Sequence, residues 1–437
     1  MLRFERMPNA QKVLQPRSYS RFRCTGSDCE DTCCEGWSVN IDRVTYEKYK
    51  GAPETRVGDL ALAGLVEINP IGTSSVNFAT IRMDGIRCPA LQGGLCSIHQ
   101  ALGEPFLADL CSTFPRVLNV TGDVMERALH LSCPEAARLV LADPEGMVFE
   151  ELTEDSQASR PGSITPLLFD SGDVELDNVD SGAVDSARGD CLHQVRALII
   201  ELIQERSRPL WQRIVSLGLA MERLAGLDLT LAVPVMADHL KRFRAGELGT
   251  IPLSPRADPV QQLETALELI VFRLGLDYTS PRFLECYREL MDGLLWTDQS
   301  SMTELGARYS RAATEYFLPF VSRHPYLLEN YLVNYIFRTL FPYRRKRPDQ
   351  SFEFDSGRES MRDAFLLLGL HYSLLRTLLI GAAAWHKEEL RVDHAIKLVQ
   401  SYSRAFQHIA SFEAHVLEVL RKGPEPGAQK IAVLVMD

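Results

Sequence analysis

From residue 191 onward the apolar residues recur at spacings of three and four. Val195, Leu198, Ile199, Leu202 and Ile203 open this pattern, which is the buried stripe of an amphipathic helix. The same period predicts helices over roughly 210–225, 260–274, 281–294, 302–317, 326–341, 360–385 and 395–420, separated by Gly, Pro or charged breaks. Ahead of residue 191 the pattern is different. LVEINP and SSVNFATIRM read as short strands, and the cysteine-bearing segments between them read as loops. No repeat of fixed period is present. The expected architecture is mainly α: a small cysteine-rich domain of short strands and loops at 1–145, an acidic linker or insertion at 146–190, and an all-helical domain at 191–437.

The chain of 437 residues is 46% apolar and 24% charged, enough to bury one large core or two. Its net charge of −11 is unevenly spread. Residues 151–190 hold ten acidic and two basic side chains, whereas residues 191–437 hold thirty basic and twenty-nine acidic. No part has the basic excess that phosphate neutralisation favours, so no nucleic-acid partner is expected. The acidic stretch, with SRPGS and FDSGDVELDNVDSGAVDSARGD, reads as solvated chain and receives no functional role. The most apolar stretch, 365–385, is interrupted by His371 and Arg376. Both are costly against lipid, so a buried helix and no membrane span is expected. The first twenty residues carry Arg3, Arg6, Lys12 and Arg17 without a secretory apolar run, which predicts a cytoplasmic protein.

Eight of the ten cysteines fall between positions 24 and 133: Cys24, Cys29, Cys33, Cys34, Cys88, Cys96, Cys111 and Cys133. All eight are candidate metal ligands, and they give the N-terminal domain its expected metal-binding character. The first group, Cys24-x4-Cys29-x3-Cys33-Cys34, lets one loop offer several sulfurs to a centre. Gly26, Gly36, Gly93 and Gly94 interleave the set, allowing sharp turns and close approach of backbone N–H groups to sulfur. Three chemistries use thiols in this way. A disulfide scaffold suits short secreted chains. Structural zinc is often announced by Cys-x2-Cys knuckles, and none occurs here. An iron–sulfur cluster accepts more varied spacing and is the preferred reading. Eight thiols exceed the four that one centre needs, so some serve otherwise or a second centre exists.

Other polar positions have plainer readings. Asn330, Asn334 and Arg338 share one helix face and are expected to bond to neighbouring helices. Tyr331 and Tyr335 are expected in the core, Cys191 and Cys286 as small buried apolar residues, and His99 beside Cys96 as incidental to a metal site. Arg116 either balances charge at the thiols or forms a surface ion pair.

The segments FRCTGSDCEDTCCEGW, RCPALQGGLCSIHQALGE, LCSTFPR and LSCPEAARL, in this order, resemble the flagellin lysine N-methylases, the FliB-like proteins. The resemblance continues through RALIIELIQERSRPLWQRIVSLGL, ENYLVNYIFRTLFP and SYSRAFQHIASFEAHVLEVL. It implies a protein-lysine N-methyltransferase acting on flagellin or another lysine-bearing protein, with S-adenosylmethionine as methyl donor and a [4Fe-4S] cluster. Neither GxGxxG nor GxGxG occurs, so a Rossmann-type cofactor site is not expected. Cys29-x3-Cys33 begins the three-cysteine pattern of radical enzymes that use this cofactor, but position 36 is Gly36. A metal-binding adaptor or an iron–sulfur redox sensor is the alternative.

Overall fold

Arg116–Thr121 (β7) and Val124–Leu129 (β8) form a hairpin that turns through Gly122, whose φ of +60° strains any residue with a side chain. The hairpin lies inside a mixed sheet. This computed structural model describes residues 11–37, 39–52, 66–69, 78–154, 164–168, 181–247, 257–276, 278–346, 352–407, 409–422 and 427–437. Among them, Gln11–Pro16 (β1) runs parallel to β8 on one side and antiparallel to Phe149–Glu154 (β9) on the other. On the far side of β7 lie Ile164–Leu168 (β10), then Phe352–Phe354 (β12) and Arg344–Lys346 (β11).

This sheet corrects two expectations. The half beginning at residue 191 is not all-helical, because β11 and β12 extend a sheet begun near the N-terminus. The acidic stretch contributes β9 and β10, although residues 155–163 and 169–180, which carry much of its acidity, lie outside the described residues. A strand can be completed by residues more than a hundred positions away, so its partners leave no local periodic mark.

The cysteine segments fill the interval between β1 and β7 and have their own small core. Val39, Ile41, Tyr49, Ala79, Ile81, Ile98 and Cys88 are buried there. Asn40–Ile41 (β2), Val66–Ile68 (β3) and Ala79–Ile81 (β4) pair as a three-stranded sheet, and Leu91–Gln92 (β5) with Leu95–Cys96 (β6) as a short hairpin. The predicted strands in LVEINP and SSVNFATIRM are β3 and β4. Residues 65 and 70 of the first and residues 74–77 of the second lie outside the described residues.

The helices largely follow the predicted periods. Asp258, Ser280 and Ser301 cap the helices Pro259–Leu274, Pro281–Gly293 and Met302–Ala312 through side-chain oxygens, the last with Glu304 completing a capping box. Three departures stand out. The expected helix over 395–420 is two, Val392–Phe406 and Ala410–Arg421, broken so that Phe412 packs edge-on against Phe406 at 5.0 Å. Leu229–Arg244 and Gly427–Val435 are helices that the period did not mark, the first carrying Pro234 near its start. The helix reaching Cys191 starts earlier, at Ser181.

Arg358–His386 runs through the large core. It is long and apolar enough to cross a membrane, yet 89% of its most apolar window is buried among other elements. His371 on this helix and His239 on Leu229–Arg244 are each 1% exposed. They face Tyr402 at 2.7 Å and Ser216 at 2.9 Å. Burial holds both below the usual imidazole range, His371 at about 3 and His239 at about 4, with nearby arginines adding to the shift. The unfolded chain therefore takes up protons first as pH falls. Stability is fully present above the unfolded value of about 6.5 and drains below it, by up to about 1.4 kcal/mol per pH unit for each histidine. Unfolding midpoints should be flat from pH 8 to 6.5 and fall steadily from 6.5 to 5, and His239→Gln should make the fall shallower. Midpoints level down to pH 5 would show that the imidazoles charge freely in the native state.

Candidate functional site

The loop from Cys29 to Trp37 carries three acids among its cysteines, and each is claimed by a different part of the chain. Glu30 pairs with Arg138 at 2.6 Å on the helix Pro134–Leu141. Glu35 pairs with Arg87 at 2.9 Å, next to Cys88. Asp31 pairs with Arg404 and accepts from Gln400 Nε2 at 2.8 Å, both on the helix Val392–Phe406. Arg404 also donates to the Glu35 carbonyl at 2.9 Å, and Gln400 to the Ser132 carbonyl at 2.8 Å, one residue before Cys133. A cysteine loop near the N-terminus is thus held by a helix near the C-terminus.

Behind this loop is a cavity of about 620 Å³, and Cys24, Cys29, Cys33, Cys34, Cys88, Cys96 and Cys111 line it. Cys133 occupies the N-cap position of Pro134–Leu141 and is not part of the cavity lining. All ten cysteines are free thiols. Cys24, Cys33 and Cys111 are exposed, and all three line the cavity. Burial pushes Cys88 and Cys133 up to about 11 and Cys111 up to about 12. The Cys33 thiol donates to Cys34, which raises Cys33 and lowers Cys34 to about 7. Thiolates crowded in this way call for compensating positive charge. Among the described residues, no three His, Cys, Asp or Glu side chains are gathered tightly enough to grip one metal ion as they stand. The thiols are distributed around the cavity.

The rest of the wall mixes apolar and aromatic side chains with Arg23, Arg116 and Arg127, the acid Glu104 and a few hydroxyls. Trp37 meets Phe114 edge-on at 4.9 Å, and Arg23 and Arg116 line the same space, Arg116 resting 5.0 Å over Phe22. Arg116, for which the sequence allowed two roles, lines the cavity that the thiols line. His99 is also in the wall. A second cavity of about 270 Å³ shares Cys33, Trp37 and Phe114 with the first and adds Tyr278, Ser280 and Arg404. Trp37, Phe114, Tyr278, Gln400 and Arg404 were not candidate residues from sequence. The signal that could have found the clamp is the trio Glu30, Asp31 and Glu35, since carboxylates beside thiolates need cations.

The polar helix face bonds to neighbouring elements, though only Val140 among its partners lies in a helix and Leu129 lies in β8. Asn330 donates to the carbonyls of Val140 and Asp143, Asn334 to that of Leu129, and Arg338 to Gln407 at 2.9 Å. Tyr331 is buried in the large core, Tyr335 packs against it, and Cys286 is buried beside Ser401. None of these lines the thiol cavity.

The helices that hold this site, including the one carrying Gln400 and Arg404, match the FliB lysine N-methylase C-terminal domain over residues 196–426. The chain belongs to this family. Lysine-N-methylases of Salmonella typhimurium and Salmonella choleraesuis are each 29% identical to it over 157 residues, 35% of this chain and 38% of theirs. The flagellar biosynthetic protein FliU of Salmonella muenchen is 29% identical over 142 residues, 32% of this chain and 82% of that protein. The match thus spans well under half the length of the two lysine-N-methylases. No solved structure matches the chain.

The ion pair between Asp31 and Arg404 clamps the two ends of the chain together. Asp31 and Arg404 are 11% and 14% exposed at their side chains, so removing one leaves the other poorly solvated. Arg404→Ala should destabilise the protein by about 1–3 kcal/mol. It should also speed alkylation of Cys33 and Cys34 several-fold, measured by mass spectrometry after a brief pulse of iodoacetamide. Unchanged alkylation would show that the loop stays in place without its arginine.

Proposed function

We propose that this protein is a protein-lysine N-methyltransferase that uses S-adenosylmethionine, acts on flagellin or another lysine-bearing protein, and carries an iron–sulfur centre at its cysteine cavity. The observation that carries the reading is the match of residues 196–426 to the lysine N-methylase domain. The flagellar name of one relative points to the substrate. The donor set suits a thiophilic centre: seven thiols face one cavity, with Arg23 and Arg116 beside them to offset thiolate charge. At about 620 Å³ the cavity also lies within the range of small-molecule sites, roughly 300–1,000 Å³.

When bound, S-adenosylmethionine supplies an activated methyl group. The work left to the protein is to present a neutral amine and exclude water. The edge-to-face Trp37 and Phe114 give the cavity an apolar wall, which disfavours a charged ammonium. The guanidinium groups of Arg23 and Arg116 act in the same direction, since a neighbouring cation lowers the basicity of an amine.

The test is anaerobic incubation of the purified protein with S-adenosylmethionine and flagellin, followed by intact-mass and peptide analysis. Mass increments of one methyl group located on lysines are expected. A protein with its metal centre intact and no methyl incorporation would overturn the methylase reading in favour of a metal-binding sensor.

A further inference from the structure

Three arginines line the cavity, and they differ in how their charge is met. Arg116 and Leu118 on β7 and Arg127 on β8 share one face of the hairpin, with Leu118 and Arg127 as cross-strand neighbours, so all three reach the cavity from the large sheet. Arg127 is already neutralised. Its Nη1 and Nη2 donate to the two carboxylate oxygens of Glu154 at 3.0 and 2.7 Å, which leaves it little to offer a ligand.

Arg23 and Arg116 are held differently. Arg23 Nη1 donates to the main-chain carbonyls of Ser20 and Phe22 at 3.0 and 2.7 Å, and Arg116 rests 5.0 Å over the Phe22 ring. These contacts bring both guanidinium groups to Phe22 and neutralise neither. Among the described residues, neither group forms an ion pair, and neither hydrogen-bonds a cysteine sulfur. Glu104 is the one acid among the residues that line the cavity, and it pairs with neither of them. Offsetting thiolate charge acts through space and leaves their N–H groups open to a ligand.

Arg116 is half-buried, so it has lost part of its hydration, and an anion that meets it recovers that cost. Arg23 is exposed, which gives such an anion a way in from solvent. Guanidinium suits a planar carboxylate, because its parallel N–H groups match two oxygens. S-adenosylmethionine carries two positive groups, the sulfonium and the ammonium of its amino-acid end, and one negative group, the carboxylate of that end. Beside two guanidinium groups only the carboxylate is favoured.

We propose that Arg23 and Arg116 form the subsite for the carboxylate of the methyl donor, fixing the amino-acid end of S-adenosylmethionine at the sheet side of the cavity. The inference rests on the reading that this cavity takes the donor.

The experiment is calorimetric titration of the full-length, anaerobically purified protein with two unreactive probes. S-adenosylhomocysteine has the amino-acid end, and 5′-methylthioadenosine lacks it. The wild type is compared with Arg23→Gln and Arg116→Gln, with circular dichroism and metal analysis to show that each variant keeps its helices and its centre. Each substitution should weaken S-adenosylhomocysteine binding about 10- to 100-fold and leave 5′-methylthioadenosine binding within about twofold. Arg116→Lys, which keeps the charge and loses the fork, should fall between. Equal weakening of both probes would overturn the inference, since the arginines would then shape the cavity without reading the carboxylate. Unchanged S-adenosylhomocysteine binding with a raised KM for flagellin would overturn it too, and would give these arginines to the protein substrate. A variant that loses metal and keeps full binding of the first probe would assign them to the thiolates alone. A wild type that binds neither probe with its centre intact would overturn the reading beneath this inference as well.

Discussion

Glu329→Ala should destabilise the protein by about 3–5 kcal/mol. Its carboxylate is 1% exposed and is shared by two arginines. Arg213 Nη1 reaches one oxygen at 2.7 Å and is itself 4% exposed, while Arg206 approaches at 2.8 Å from the turn after Ser181–Ile203. Arg206 also donates to the Pro144 carbonyl. One carboxylate therefore joins the start of Tyr326–Arg338, the helix Leu210–Leu224 and the segment after Pro134–Leu141. Removing it strands the Arg213 guanidinium away from water, and that uncompensated charge, more than any lost contact, sets the size of the effect. The check is urea unfolding followed by circular dichroism. Glu329→Gln keeps the shape and part of the hydrogen bonding and should fall between. Pairing Glu329→Leu with Arg213→Met should recover much of the loss, because a charge that has been removed needs no partner. A loss under about 1 kcal/mol for Glu329→Ala would mean that water reaches Arg213.

The second large effect is expected at the closest helix crossing. Pro281–Gly293 and Arg358–His386 touch through glycines. A Cβ on Gly381 would lie 2.3 Å from Leu290 Cδ1 and 2.6 Å from Leu290 Cα, and one on Gly293 would lie 2.4 Å from the Gly381 carbonyl oxygen. Backbone cannot step aside as a flexible side chain can. Within an unconstrained helix, Gly→Ala gains about 1 kcal/mol from propensity. At Gly381 the clash outweighs that gain, so Gly381→Ala should destabilise by about 1–3 kcal/mol and Gly381→Val by more. Gly427→Ala, whose new Cβ would meet only ordinary contacts from 3.4 Å, is the control and should be close to neutral. Both are measured by the same urea titration. A stabilised Gly381→Ala would show that the two helices separate without cost.

Much of the helical half was legible because helix formation leaves a local record. The predicted spans at 210–225, 260–274 and 281–294 agree with Leu210–Leu224, Pro259–Leu274 and Pro281–Gly293 to within a residue at either end. Leu229–Arg244 escaped because Pro234 reads as a break, yet it sits early enough in the helix to be tolerated. The period also ran on past Phe406, where one helix ends before the next begins at Ala410 and Phe412 packs against Phe406. The strands β9 to β12 were illegible for a different reason. The partners of β9 and β10 lie far along the chain, and β11 and β12 are only three residues each.

The same division runs through the candidate site. By itself the sequence determined the helical character of residues beyond 191, the crowding of eight thiols before residue 134, and the family to which those segments belong. These are matters of composition, period and local order. Only the tertiary structure decided that one sheet joins the N-terminal strand to Arg344–Lys346, and that Gln400 and Arg404 hold Asp31 across more than 360 residues of chain. It also decided which thiols stand near one another. Sulfur positions depend on how loops, a hairpin and a helix start converge, and that convergence is set by burial and ion pairing between distant segments, which no local pattern encodes.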